Sequence, residues 1–359
     1  MRRISVEYAT LGTILGRAVY DSAGALLLDA GTVLDAVHVP VLSRLGVREI
    51  IIQDPRVDDI IIVPSISEEV EAQAIRLLHR LVDSNRGKLI KHIKLDLTEV
   101  DRLVKVMIQS IDSAFMGEIN TEGCLSLGNY DYIHPVKVAG LCLFIGKKAG
   151  YNRADLVSLG MAALLQDIGY IQVSQHVLMN LQAADENKSP EYKAHPEAGY
   201  SILSQSGVDD GIAKVVLQHH ERWDGSGYPA GLKGSQISPL SRIISIASSY
   251  YGLVSRRPGQ EPFPPPDAAE YIAAYSGELF DPELAQTFVR SIPFYPKGIL
   301  VKLSTGESGI VTEPNIGYIG RPQVRVCYDR SGEELSELYD IDLKEPEYQS
   351  RLVTDILEY

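Results

Sequence analysis

The spacing of apolar positions changes twice along the chain. From residue 1 to about 60 they form short runs cut by glycine, as in Gly12-Thr13-Ile14-Leu15, Gly24-Ala25-Leu26-Leu27-Leu28 and Glu49-Ile50-Ile51-Ile52, the grammar of short strands. Val37 to Leu45 predicts one brief helix among them, so residues 1–60 are expected to be a small β-rich domain. From about 67 to 115 the apolar residues recur every three or four positions, at Ala74, Leu77, Leu78 and Leu81 and again at Val100, Leu103, Val104, Met107 and Ile111. Residues 61–117 are therefore expected to be a helical connector, with a dimer stalk as its candidate role. Residues 118–290 read as an all-α unit, with helices predicted over Pro135–Ala149, Ala154–Leu165, Pro196–Ser204 and Gly211–His219. Asp267, after the run Pro262-Phe263-Pro264-Pro265-Pro266, is the expected N-cap of a further helix over Ala268–Ala274. Beyond Pro293 strand grammar returns, in Gly298–Leu303, Gly309–Val311 and Val324–Tyr328, so 291–359 is expected to be a small β domain. The expected class is a multidomain protein: a central all-α helical bundle between two small β-rich units.

Composition narrows the partners. A formal net charge of -13 argues against coating DNA or RNA, whose affinity rests on clustered Lys and Arg; a small anionic ligand needs only a local cluster. The three cysteines, Cys124, Cys142 and Cys327, are too scattered for a disulfide framework, which fits a reducing cytoplasm. Met1-Arg2-Arg3-Ile4-Ser5 leads into mixed polar sequence rather than a signal peptide, and no uninterrupted apolar run is long enough for a membrane span, so a soluble protein is expected.

The candidate chemistry gathers in the helical unit. His134, His195, His219 and His220 fall near predicted helix ends together with Asp167, and imidazole with carboxylate suits divalent Mn, Fe, Zn or Ni. His219-His220-Glu221-Arg222-Trp223-Asp224-Gly225-Ser226-Gly227-Tyr228-Pro229 joins two of these histidines to the only tryptophan and a glycine-punctuated loop. Taken one at a time, such histidines are more often hydrogen-bonded core residues than ligands.

Together with Tyr130–Ala139, Ala163–Tyr170, His195–Leu203 and Arg242–Tyr250, this run resembles the HD-GYP family, a subset of the HD superfamily of metal-dependent phosphohydrolases whose best known substrate is cyclic di-GMP. The Gly12–Ile52 region and Tyr295-Pro296-Lys297-Gly298 are similar to accessory domains found around such modules. The resemblance implies an HD-type bundle and a metal set of His134, Asp167, His195, His219 and His220. It also exposes departures. The naming His-Asp pair is Gln166-Asp167, the lysine three residues later is Tyr170, the aspartate after Arg-Ile-Ile is Ser248 with Tyr251 beyond it, and the acid of a third metal is Tyr130. A neutral amide oxygen is a poor transition-metal donor, and a phenol of pKa about 10 carries no charge at neutral pH.

Asp167 is thus the one carboxylate left and the only candidate for residual catalysis. A binuclear centre is not expected; a single divalent ion is. Hydrolysis in the family relies on two cations acting on the attacking water, and losing one should cost several kcal/mol, on the order of a thousandfold in rate. For ligand binding, Gly225, Gly227 and Gly231 allow a tight loop offering N–H groups to phosphate or to a protein, Tyr228 is a surface recognition residue and Trp223 a core anchor. Arg257, in Arg256-Arg257-Pro258, is the main phosphate candidate, and Lys233 a weaker one. The leading reading is a degenerate HD-GYP protein that binds cyclic di-GMP or a signalling partner such as a cyclase domain. Its rivals are an active phosphodiesterase yielding pGpG or GMP, with Gln166 and water completing the site, and a structural homodimeric module whose pocket is filled by Tyr130, Tyr170 and Tyr251.

Overall fold

Short strands at both ends of the chain and a long helical middle form three units that share cores. The computed structural model describes residues 1–62, 64–113, 130–180, 189–255 and 261–357. The first unit contains β1 (Arg2–Ser5), β2 (Val19–Tyr20), β3 (Leu26–Leu28), α1 (His38–Arg44) and β4 (Glu49–Ile52). β1 pairs antiparallel with β4, and β2 with β3, around Val6, Leu15, Val19, Leu34, Leu42 and Ile50.

The helical middle begins with α2 (Glu68–Asp83) and α3 (Thr98–Ser113). Ser67 caps α2 through its side chain, and Glu68, Glu69 and Glu71 sit in the first turn where the helix dipole favours negative charge. The stalk expected over 61–117 is not a separate element: Ile75, Leu78, Leu81, Val100, Val104 and Met107 are buried in the same cluster as the helices that follow. Their amphipathic period is satisfied by the helical core of the same chain. Next come α4 (Tyr130–Lys148) and α5 (Arg153–Leu165), apolar around most of their circumference because other helices surround them. The stretch Arg153–Gln172 is long and apolar enough to cross a membrane, but 72% of it is buried, as in a core helix. The remaining helices are α6 (Gln175–Asn180), α7 (Pro190–Lys193), α8 (His195–Gln205), α9 (Asp210–Gln218), α10 (Pro239–Val254), α11 (Pro265–Ala274) and α12 (Pro282–Ser291). Asp267 is not an N-cap: α11 starts two residues earlier, at Pro265 after the N-cap Pro264, because proline presets the φ of a first helical turn.

The C-terminal sheet comprises β5 (Leu300–Leu303), β6 (Ser308–Glu313), β7 (Gln323–Tyr328), β8 (Glu334–Asp342) and β9 (Val353–Leu357), antiparallel in the order β8-β7-β6-β5-β9. It is not isolated from the first unit. Ile51, Val57, Ile60 and Ile62 share one apolar cluster with Leu300, Ile310 and Cys327. Arg56 donates to the Tyr328 hydroxyl at 2.6 Å, and Arg325 pairs with Asp59 at 2.6 Å and with Asp340 at 2.8 Å. Cys142 and Cys327 are free and buried, and Cys124 lies outside the described residues.

α2 is fastened to α4 by a buried ion pair, with the Lys137 ammonium 2.7 Å from Glu71 and the two side chains 4% and 12% exposed. Removing one partner strands the other charge in the core. We expect Lys137→Met to destabilise the protein by about 3–5 kcal/mol, and the double variant with Glu71→Gln to recover most of it. Urea midpoints followed by helical circular dichroism test this, and equal midpoints for wild type and Lys137→Met would refute it.

Candidate metal centre

Three helix ends converge on one point. α5 stops at Leu165 with Gln166 as its C-cap, Asp167 follows, and His195 is the first residue of α8. His219 is the C-cap of α9, and His220 comes next. The turn after Asp167 can approach α8 because residue 169 is glycine: a Cβ there would lie 1.9 Å from the His195 carbonyl oxygen. No other residue type fits without moving Asp167 away from the histidines.

One ligand atom from each of Asp167, His195, His219 and His220 falls within 4.8 Å of all the others. The Nε2 atoms of His195 and His219 are 3.3 Å apart, and Asp167 Oδ1 is 3.5 Å and 3.7 Å from them. A tetrahedral site with bonds of about 2.1 Å has ligand-to-ligand edges of about 3.4 Å, so the spacing suits one ion. The tautomers agree. His195 Nδ1–H donates to the Tyr192 carbonyl and His219 Nδ1–H to the Val216 carbonyl, each at 2.6 Å, which leaves both Nε2 lone pairs facing inward. Burial pushes His195 and His220 well below the ordinary imidazole range and His219 down to about 4, so all three rings are neutral donors at pH 7. The His220 Nε2 atom is buried without a hydrogen-bond partner among the described residues. An orphaned imidazole nitrogen beside two converging lone pairs and a carboxylate is what a divalent cation would satisfy, so these residues fit a metal.

His134 does not join them. Its Nδ1 lies 2.7 Å from the Tyr130 hydroxyl and its Nε2 3.0 Å from Ser248 Oγ, so both ring nitrogens are engaged by side chains that stand where the family places acids. Gln166 is fully buried, and neither its amide oxygen nor its nitrogen has a hydrogen-bond partner among the described residues. Tyr170 is packed edge-on against His195 at 4.8 Å, donates to the Tyr192 hydroxyl at 2.9 Å, and is kept neutral by burial and by Asp167. Tyr251 lies edge-on to His134 at 6.3 Å. A small cavity of about 10 Å³, enough for about one water, lies beside the cluster and is lined by Leu78, Arg86, Tyr132, Asp167 and Tyr170.

The glycine loop is a self-contained turn rather than a phosphate cradle. The N–H groups of Ala230 and Leu232 donate to the buried Glu221 carboxylate at 2.8 and 2.9 Å, that of Tyr228 to the His220 carbonyl, and that of Gly225 to the Arg222 carbonyl. A Cβ on residue 227 would come within 2.3 Å of the Arg222 nitrogen, so Gly227 is needed for the loop to fold on its own backbone, and Gly225 adopts a φ of +87°. A lone acid between two histidines and an arginine carries no sequence mark of capping a loop, so the role of Glu221 is visible only in the fold. Tyr228 offers no open face to a purine: His220 stacks on one side at 4.6 Å, and Lys193 lies over the ring at 5.1 Å. Trp223 is half-buried under the Arg242 guanidinium at 5.2 Å rather than a core anchor. Lys233 is exposed, its backbone N–H donating to Gln236 at 2.9 Å, and Arg257 lies outside the described residues.

A family model described as HD domain matches residues 102–284, and one described as KOW domain associated with HD domain matches 300–349. Cyclic di-GMP phosphodiesterase PA4108 of Pseudomonas aeruginosa is 32% identical over 200 residues, 55% of this chain and 48% of that protein. A cyclic di-GMP phosphodiesterase of Thermotoga maritima is 35% identical over 159 residues, 44% of this chain and 43% of that one. The chain thus spans about half the length of the curated relatives it matches. The solved structure of Bd1817, described as a HDG"Y"P protein from Bdellovibrio bacteriovorus, aligns with a TM-score of 0.46 at 15% identity, over 80% of this chain and 97% of that one.

Two outcomes follow from this geometry. In the metal-free protein the unfolded chain takes up protons on histidine below the usual pH of 6.5, whereas the folded His219 does so only near 4, so stability should fall as pH drops across that window. His219 alone accounts for on the order of 3 kcal/mol; urea unfolding at several pH values measures it, and a flat profile would count against neutral buried rings. Gly227→Ala should cost about 1–3 kcal/mol by forcing the loop off Glu221, read as a shift of Trp223 fluorescence and faster proteolysis within the loop.

Proposed function

From the premise that this chain belongs to the HD domain family and carries an HD-GYP-type domain, we propose that it is a degenerate member: a one-metal module that binds a cyclic dinucleotide of the cyclic di-GMP class with little or no hydrolysis. The observation that carries this reading is the engagement of both His134 nitrogens by the Tyr130 and Ser248 hydroxyls. A second cation would need those nitrogens and the carboxylates that once stood at these positions. The first seat keeps its donors. Asp167, His195, His219 and His220 would hold one divalent ion, which when bound supplies a Lewis acid and a fixed positive charge for a phosphate group. Around it, the Tyr192 and Val216 carbonyls fix two ring tautomers, Tyr170 excludes water from one side of His195, and Tyr228 covers His220. The ligand class rests on the names of the relatives, and a signalling protein engaged through the flanking β units belongs to the same proposal.

One observation favours a second reading, an active phosphodiesterase. Gln166 is buried with both amide atoms unpartnered, a costly state that an amide oxygen bound to a metal would relieve. The two readings separate by metal count and turnover. We expect elemental analysis to find one Mn or Fe per chain in the wild type and almost none in Asp167→Ala, with cyclic di-GMP turnover at least about a thousandfold below that of a two-metal enzyme. Gln166→His combined with Ser248→Asp should raise the metal count towards two. Two ions in the wild type, or brisk formation of pGpG or GMP, would overturn the degenerate reading.

A further inference from the structure

We propose that Arg86, contributed by the segment that precedes the HD domain, is the anion-binding residue of this site and replaces the cation that Tyr170 does not supply. The inference rests on the metal-module reading above and names the group that would meet a ligand phosphate. Arg86 follows α2 and lines the same cavity as Asp167 and Tyr170, together with Asp131, Tyr132 and Pro135. Its guanidinium is held on one side only: Nη2 donates to the Tyr132 hydroxyl at a long 3.4 Å, and Nε stands 3.9 Å from Asp83. Nη1 is buried and has no hydrogen-bond partner among the described residues. Leaving a buried donor of a charged group unmade costs a few kcal/mol, so the arrangement makes sense if a ligand completes it. A guanidinium presents paired N–H donors in a plane, which matches the oxygens of a phosphodiester.

Charge decides when the cavity can take an anion. Asp131 and Asp167 both line it, so without a metal the one arginine is outweighed by two carboxylates. A divalent ion on the Asp167 cluster would reverse the local balance and draw a phosphate towards Arg86, the water-sized cavity widening to admit it. Anion binding is accordingly metal-dependent. A cyclic dinucleotide has two phosphodiester groups and needs only one of them here.

The test uses the full chain, with and without Mn²⁺, titrated calorimetrically with inorganic phosphate and separately with cyclic di-GMP. We expect the loaded wild type to bind phosphate and the metal-free protein not to. Arg86→Met should weaken that binding roughly tenfold or more, Arg86→Lys should restore part of it, and the metal content should stay unchanged. Charge rescue by lysine and a shallower salt dependence in Arg86→Met are readouts that a merely structural contact to Tyr132 would not give. Phosphate binding without cyclic di-GMP binding would retain the Arg86 site and discard the dinucleotide reading. Cyclic di-GMP binding that is unchanged in Arg86→Met would do the reverse. A loaded wild type that binds neither probe overturns both.

Discussion

Two imidazole nitrogens facing each other at 3.3 Å, with a carboxylate oxygen 3.5–3.7 Å from both, are the constraint on which the site depends. Neutral lone pairs do not gather so closely in a protein interior unless the backbone compels it. Here it does, through two carbonyls at 2.6 Å that fix the tautomers from behind. Those carbonyls come from Tyr192 in α7, just ahead of α8, and from Val216 in the last turn of α9, so the packing of these helices against the turn at Gly169 sets the distances. The large shared core is what makes the helix ends rigid enough to keep them. α2 and α3 belong to that core, which is why an upstream arginine can reach the site at all.

The departures from the family motif form a coherent set. The hydroxyls of Tyr130 and Ser248 meet both nitrogens of His134, which makes it a buried, hydrogen-bonded core residue. Tyr170 makes a similar exchange, giving up a cation for an aromatic contact on His195 and a hydroxyl link to Tyr192. Gln166 alone is left uncompensated, and it marks the one place where the second reading has purchase.

Much of the architecture could be read from the sequence because periodicity reports burial directly. The helices later found at α4, α5, α8 and α9 carried apolar runs of the right length, and the three-unit division followed from changes of period. The same logic misread residues 61–117: an amphipathic stripe states that a face is covered but not by what, and here the cover is the chain itself. At the site, the residue types pointed to Asp167, His195, His219 and His220, which the fold brings together, and also to His134, which stands apart; the hydrogen bonds of the loop were not legible. Glycines at 225 and 227 announce a tight turn, but which acceptors its N–H groups meet depends on Glu221 being folded beneath it, a tertiary fact. Arg86 was invisible for the same reason, since nothing in its own neighbourhood connects it to Asp167.

On the one-metal reading proposed above, electrostatics favours one ion over two at this cluster. Two divalent cations about 4 Å apart repel by roughly 16 kcal/mol at an effective dielectric of about 20. A carboxylate close to both returns roughly 8 kcal/mol per ion at a similar distance, so one bridging acid only balances the repulsion and leaves nothing to offset the dehydration of either cation. In this cluster Asp167 is the sole carboxylate, the histidine donors are neutral, and the half-buried Arg222 guanidinium, bonded to Ser245 and Ser249, adds a further positive charge that disfavours cations on His219 and His220. A single ion escapes the repulsion of a second cation and keeps the attraction of Asp167 and the three lone pairs against the repulsion of Arg222. It also leaves the site with a net positive charge, the condition under which a phosphate is drawn towards it.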